Sequence, residues 1–107
     1  MKVVNVEILN DLSDDLNDLE DYNSDVLVQL ENGNSYVVKV ATPKNLLSLM
    51  NNDKNNFLYP DRPMIVVKKF TQEIIEETIK AYAANEGYWL HMYAYLHRIS
   101  ILKKENN

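Results

Sequence analysis

The side chains in this 107-residue chain that could do chemistry are its carboxylates, two histidines and a cluster of aromatics. Between Val3 and Val38 there are nine carboxylates and no lysine or arginine. Seven of these (Asp11, Asp14, Asp15, Asp18, Glu20, Asp21 and Asp25) fall within fifteen residues. Carboxylates packed this closely suit three tasks: binding calcium, sharing a proton as an acid–base pair, or meeting cations on a partner. Calcium is tested by spacing. Asp21, Asn23 and Asp25 copy positions 1, 3 and 5 of a calcium loop, but Val26 stands where the sharp turn needs glycine. Asn32 stands where a bidentate glutamate belongs, so the loop is incomplete and no metal is expected.

Acid–base chemistry finds no constellation either. His91 and His97, six residues apart on a helix, lie roughly 120° apart around the axis and cannot chelate one ion together. A hydrolase or isomerase would have to pair one of them with a carboxylate from another element. Glu76 and Glu77 are adjacent and diverge by about 100°, while Glu73/Glu77 and Glu76/Lys80 repeat at the spacing of a solvated helix surface. With only Gly33 and Gly87, a phosphate-cradling loop, a dinucleotide fingerprint and a Gly-x-Ser-x-Gly elbow are all excluded. The absence of cysteine excludes disulfides and thiolate chemistry. No cofactor is expected.

Cation recognition fits the charge distribution. Residues 1–38 sum to −8, and residues 39–107 sum to +3. Such asymmetry bears on partners and solubility rather than on fold. Lys68 and Lys69 beside Phe70 form no basic stripe in a chain of net charge −5, so nucleic acid is not an expected partner. The start Met-Lys-Val-Val-Asn-Val-Glu reads as neither signal peptide nor anchor, and no apolar run nears the ~20 residues of a membrane span. A cytoplasmic protein is expected. Fourteen asparagines, and nine lysines to two arginines, hint at an AT-rich bacterial or phage genome.

The elements that must position these residues follow from periodicity. Val4, Val6 and Ile8 alternate as in a half-buried strand. The acidic insert 10–25 follows, with Leu12, Leu16 and Leu19 along one edge and Ser13 as a helix cap; it reads equally as a short helix or a solvated loop. A hairpin spans Asp25 to Thr42. A two-residue turn at Asn32-Gly33 would put its apolar residues on opposite faces, whereas a three-residue loop pairs Val28 with Tyr36 and Val26 with Val38 on one face, with Gly33 left-handed. Thr42-Pro43 and Thr71 start helices. Leu46, Leu47 and Met50 are expected to face the core from the first, and Ile75, Ile79 and Tyr82 from the second. Asn85-Glu86-Gly87 is a stop, after which Trp89, Met92, Tyr93, Leu96 and Ile99 form an apolar face. The run Tyr88, Trp89, Tyr93, Tyr95 reads as core packing rather than a stacking platform.

The expected fold is α+β: one domain over 1–107, a two-layer sandwich with a mostly antiparallel sheet of about four strands (3–9, 25–31, 34–42, 64–69) and helices at 43–52, 72–84 and 88–103.

Val28-Gln-Leu-Glu-Asn-Gly33 followed by Tyr36-Val-Val-Lys-Val-Ala-Thr-Pro-Lys-Asn-Leu46 resembles small uncharacterised bacterial α+β proteins that pair such a hairpin with a Thr-Pro-capped helix. Ile65-Val-Val-Lys-Lys-Phe-Thr71 and Gly87-Tyr-Trp-Leu extend the resemblance over about residues 25 to 95. Its motifs are turns, caps and strand faces, and it implies no activity.

The reading that follows is a non-enzymatic binding protein of the immunity or inhibitor type, meeting a basic protein partner through Asp14, Asp15, Asp18 and Asp21, with Leu16 or Tyr22 as anchor. The alternatives are a structural or oligomerisation module built on the hairpin edge or the aromatic helix, and an enzyme using His91 or His97.

Overall fold

The computed structural model describes residues 1–9, 18–60 and 63–105, with side chains described through Tyr95. The strands are β1 (Val3–Ile8), β2 (Asn23–Leu30), β3 (Ser35–Ala41) and β4 (Ile65–Val66), and they lie in the sheet in that same order. The helices are α1 (Pro43–Asp53), α2 (Gln72–Tyr82) and α3 (Ala84–Glu105). The first three strands form an antiparallel meander, and β4 pairs parallel to β3. A parallel neighbour needs a crossover, and the stretch containing α1 supplies it.

The hairpin carries the expected register: Val26 pairs with Val38 and Val28 with Tyr36. The Leu30 N–H donates to Asn34 O at 2.9 Å, closing a loop of Glu31, Asn32 and Gly33, and Gly33 adopts φ +90°. Val26, Val28, Leu30, Val38 and Val40 therefore share one fully buried face. Ile65, Val67, Phe70, Ile75, Ile79, Ala83 and Leu90 complete the core above it, so the sheet forms one layer and α2 and α3 cover it as the other. Each such side chain contributes roughly 1.5–3 kcal/mol on burial, which makes this face the main source of stability.

Several expectations are corrected. The register of β1 shifts between Val3 and Asn5, leaving Val4 unmatched and 57% exposed while Val3, Val6 and Ile8 pack at the core margin. An extra residue in one strand reverses the inward–outward parity beyond it. The β4 strand stops at Val66 rather than continuing to 69, because its partner ends: Val67 N–H bonds Ala41 O, and the Thr42-Pro43 helix start follows.

Helix α1 buries none of its residues, and Leu47 is 56% exposed. Four strands at about 4.8 Å spacing are some 19 Å wide, which two helices of about 10 Å diameter already cover. The third helix is also rotated from the expected phase. Asn85, Glu86 and Gly87 all have positive φ, so regular helix begins only at Tyr88. Leu90 then turns inward, and Trp89 is left 47% exposed.

Candidate functional site

The acidic connection between β1 and β2 is held at one end by the sheet and at the other by the link between β4 and α2. At its start, Leu9 N–H donates to Asp25 O at 3.0 Å. At its finish, Leu19 O accepts from Phe70 N–H at 2.7 Å, and the Tyr22 ring meets Phe70 edge-on with centroids 4.8 Å apart. Thr42, fully buried, closes the corner: its Oγ1 accepts from Tyr22 N–H at 3.2 Å and from Asn45 N–H at 3.4 Å. One threonine thus caps α1 and fixes the strand entry together.

The carboxylates at this end are used inside the molecule. Asp18 bonds Lys44 in an exposed ion pair and accepts from Glu20 N–H at 3.0 Å. The Lys44 hydrogen bond, then the Glu20 N–H, hold the Asp18 carboxyl below the usual carboxylate range, while Asp18 holds the Lys44 amine above its own. Asp21 accepts from Asn45 Nδ2 at 3.1 Å and from Ser48 Oγ at 3.2 Å. Asn23 Nδ2 donates to Asn45 Oδ1 at 2.7 Å. Helix α1, lacking a buried face, is therefore moored by polar side chains to residues 18–23. Asp25 lies within β2 and pairs with Lys39 at 3.5 Å.

Of the residues expected to meet a partner, Asp18, Asp21 and Tyr22 are brought together at this corner. Asp14, Asp15 and Leu16 lie outside the described residues. Sequence reasoning missed Lys44, Asn45 and Ser48. Their only signal was that Lys44 and Ser48 sit four residues apart on one side of α1, the spacing at which a helix offers two side chains to one acidic segment.

His91 is exposed, its ring edge-on to Tyr36 at 6.0 Å, and no described carboxylate bonds it. The His97 side chain falls outside the described residues. Among the described residues no three His, Asp or Glu side chains gather as a metal-binding group, and no helix is long and apolar enough to cross a membrane.

A second concavity lies where α2 meets α3. Ala81, Tyr82, Trp89 and Tyr93 line an open cleft of about 310 Å³. Tyr82 and Tyr93 meet at 76° with centroids 5.5 Å apart, and Tyr88 packs edge-on against Trp89 at 5.0 Å. Burial, with a smaller contribution from Tyr93, pushes the Tyr82 hydroxyl above the ordinary tyrosine value, so this phenol stays neutral. The aromatic run expected to be core is thus divided, with Tyr93 partly buried and Tyr88, Trp89 and Tyr95 exposed.

Comparison with protein-family models, with curated proteins and with solved structures finds no match to this chain.

Proposed function

We propose that this chain is a non-enzymatic binding protein of the immunity or inhibitor type, which engages a basic protein partner through the acidic connection between β1 and β2. The observation that carries this reading is a lysine-free acidic segment hydrogen-bonded at both ends, Leu9 to Asp25 of β2 and Leu19 to Phe70 in the link before α2. Fixed ends limit the entropy such a segment loses on binding. Its negative field steers a cationic partner and speeds encounter.

Asp18 remains usable, because an exposed ion pair with Lys44 contributes little and a partner's arginine can take its place. Asp21 acts instead by holding the segment's end in position, and Tyr22 stiffens it through Phe70. Leu16 supplies the apolar anchor that a charge-rich contact needs at its centre.

The test is capture of basic proteins from the native host on wild-type protein and on the Asp14→Asn/Asp15→Asn variant, each eluted with a salt gradient. One basic protein held by the wild type and eluting at clearly lower salt from the variant is the expected result. Equal retention on both, or none on either, would sink the proposal and leave the segment a solvated loop.

A further inference from the structure

We propose that the cleft between α2 and α3 is an aromatic cage for a methylated ammonium group. Two helices build it. Ala81 and Tyr82 come from the last turn of α2, and Trp89 and Tyr93 lie one turn apart on the same side of α3. The left-handed residues 85–87 turn the chain sharply between them. Buried Gly87 and Leu90 then set the rotation of α3, so that Trp89 falls beside the tyrosines rather than in the core.

The chemistry of these walls selects the ligand. Tyr82 and Tyr93, at 76°, form a near-right-angled corner, and Trp89 lines the same space. Tyrosine and tryptophan faces carry the negative side of the ring quadrupole and attract cations, with tryptophan the strongest. A volume of about 310 Å³ is at the low end for small-molecule sites (~300–1,000 Å³), which suits a compact head group.

No carboxylate stands among the described residues that line the cleft, so a strongly hydrated lysine ammonium would shed its water without an ionic partner in return. A quaternary or trimethylated ammonium sheds little, and its methyl groups bury apolar surface against the rings. The net charge of −5 draws any cation towards the molecule, and the neutral Tyr82 phenol leaves the rings themselves to provide the selectivity. The head group would come from a free choline-like metabolite or from a trimethyl-lysine on a protein, and the chemistry is the same for both.

Trp89 is the only tryptophan, so its fluorescence reports the cage directly. The intact chain is titrated with choline, with its uncharged carbon isostere 3,3-dimethylbutan-1-ol, and with paired peptides carrying lysine or trimethyl-lysine. Saturable change with choline and trimethyl-lysine, and roughly tenfold weaker binding of the isostere and of plain lysine, is the expected pattern for cation–π recognition. A choline affinity matching that of the peptide indicates a free metabolite; a peptide preferred tenfold or more indicates a protein.

Tyr82→Phe keeps the ring and should retain binding. Tyr82→Leu should lose most of it while far-ultraviolet circular dichroism stays unchanged. Should Tyr82→Leu disturb the fold, Trp89→Leu at a 47% exposed position, with binding read by calorimetry, tests the same point. Equal or tighter binding of the isostere would overturn the proposal in favour of a plain apolar pocket, and so would the absence of saturable change with any of the four ligands.

Discussion

Gly87 lays its bare Cα against Leu30, so close that a Cβ built there would stand 3.4 Å from Leu30 Cδ1. That spacing is ordinary contact. The demand for glycine comes instead from φ +79°, the third positive φ in a row after Asn85 and Glu86. Gly87→Ala should therefore cost about 1–2 kcal/mol through backbone strain rather than through a clash. Glu86→Gly, which relieves the same kind of strain at φ 61°, should not destabilise. Urea unfolding midpoints with unchanged slope check both; equal losses in the two variants would contradict this account.

Thr42 serves two N–H donors from one buried oxygen. Thr42→Ala should cost about 1–2 kcal/mol, since it removes the α1 cap and strands the Tyr22 N–H. Thr42→Ser, keeping the oxygen, should lose clearly less. Hydrogen exchange adds a spatial test: protection should fall in α1 and residues 18–22 of the alanine variant and persist in the β2–β3 hairpin.

Asp18 titrates below its ordinary value because Lys44 and the Glu20 N–H bond its ionised form. The stability this gives is present above the unfolded-state pKa near 3.8 and is lost as pH falls through the lower folded value. Asp18→Asn should then be slightly less stable than the wild type at neutrality and converge on it below about pH 4, giving a shallower acid decline. Because the pair is exposed, roughly 0.5 M salt should shrink the difference between the variants. An Asp18 carboxyl titrating at or above the model-peptide value by nuclear magnetic resonance would rule this out.

At the alkaline end Tyr82 acts in the opposite sense. Its hydroxyl is held above the ordinary value of 10.0, chiefly by burial. Once the pH passes that of the unfolded phenol, the unfolded chain ionises while the folded one resists, so stability falls as pH rises towards the folded value. Tyr82→Phe should soften that fall, measured as unfolding midpoints from about pH 9 to 11. An unchanged slope would show that another group governs the alkaline limb.

The parts legible in the sequence were those written locally. A one-residue slip would have inverted the Val26/Val28 and Val38/Val40 faces, so parity alone chose the three-residue loop ending at Gly33. Thr42-Pro43, Thr71 and Asn85-Glu86-Gly87 each announced a helix boundary through their own backbone preferences. The parts that stayed hidden depend on space and on distant partners. Leu46, Leu47 and Met50 have a core-facing period, but only the width of the sheet decides whether a third helix finds room above it. Val3 and Val4 are both apolar, so a bulge at Val4 leaves no trace in the pattern. Asp21 and Ser48 meet across 27 positions, beyond any spacing rule. Tyr82 joins Trp89 and Tyr93 only because three left-handed residues set the phase of α3.

The strand order also has a kinetic consequence. With β1, β2, β3 and β4 laid side by side in chain order, each strand docks on one that already precedes it. The β2–β3 hairpin closes over three residues, whereas β4 must wait for the whole segment 42–64 to fold back. Loop-closure entropy therefore favours the hairpin as the nucleus and leaves the parallel strand to arrive late. Substitutions at Val26 or Val38 should slow refolding, while Ile65→Val should mainly quicken unfolding. Stopped-flow chevrons decide the matter, and an Ile65 effect confined to the refolding arm would reverse the order.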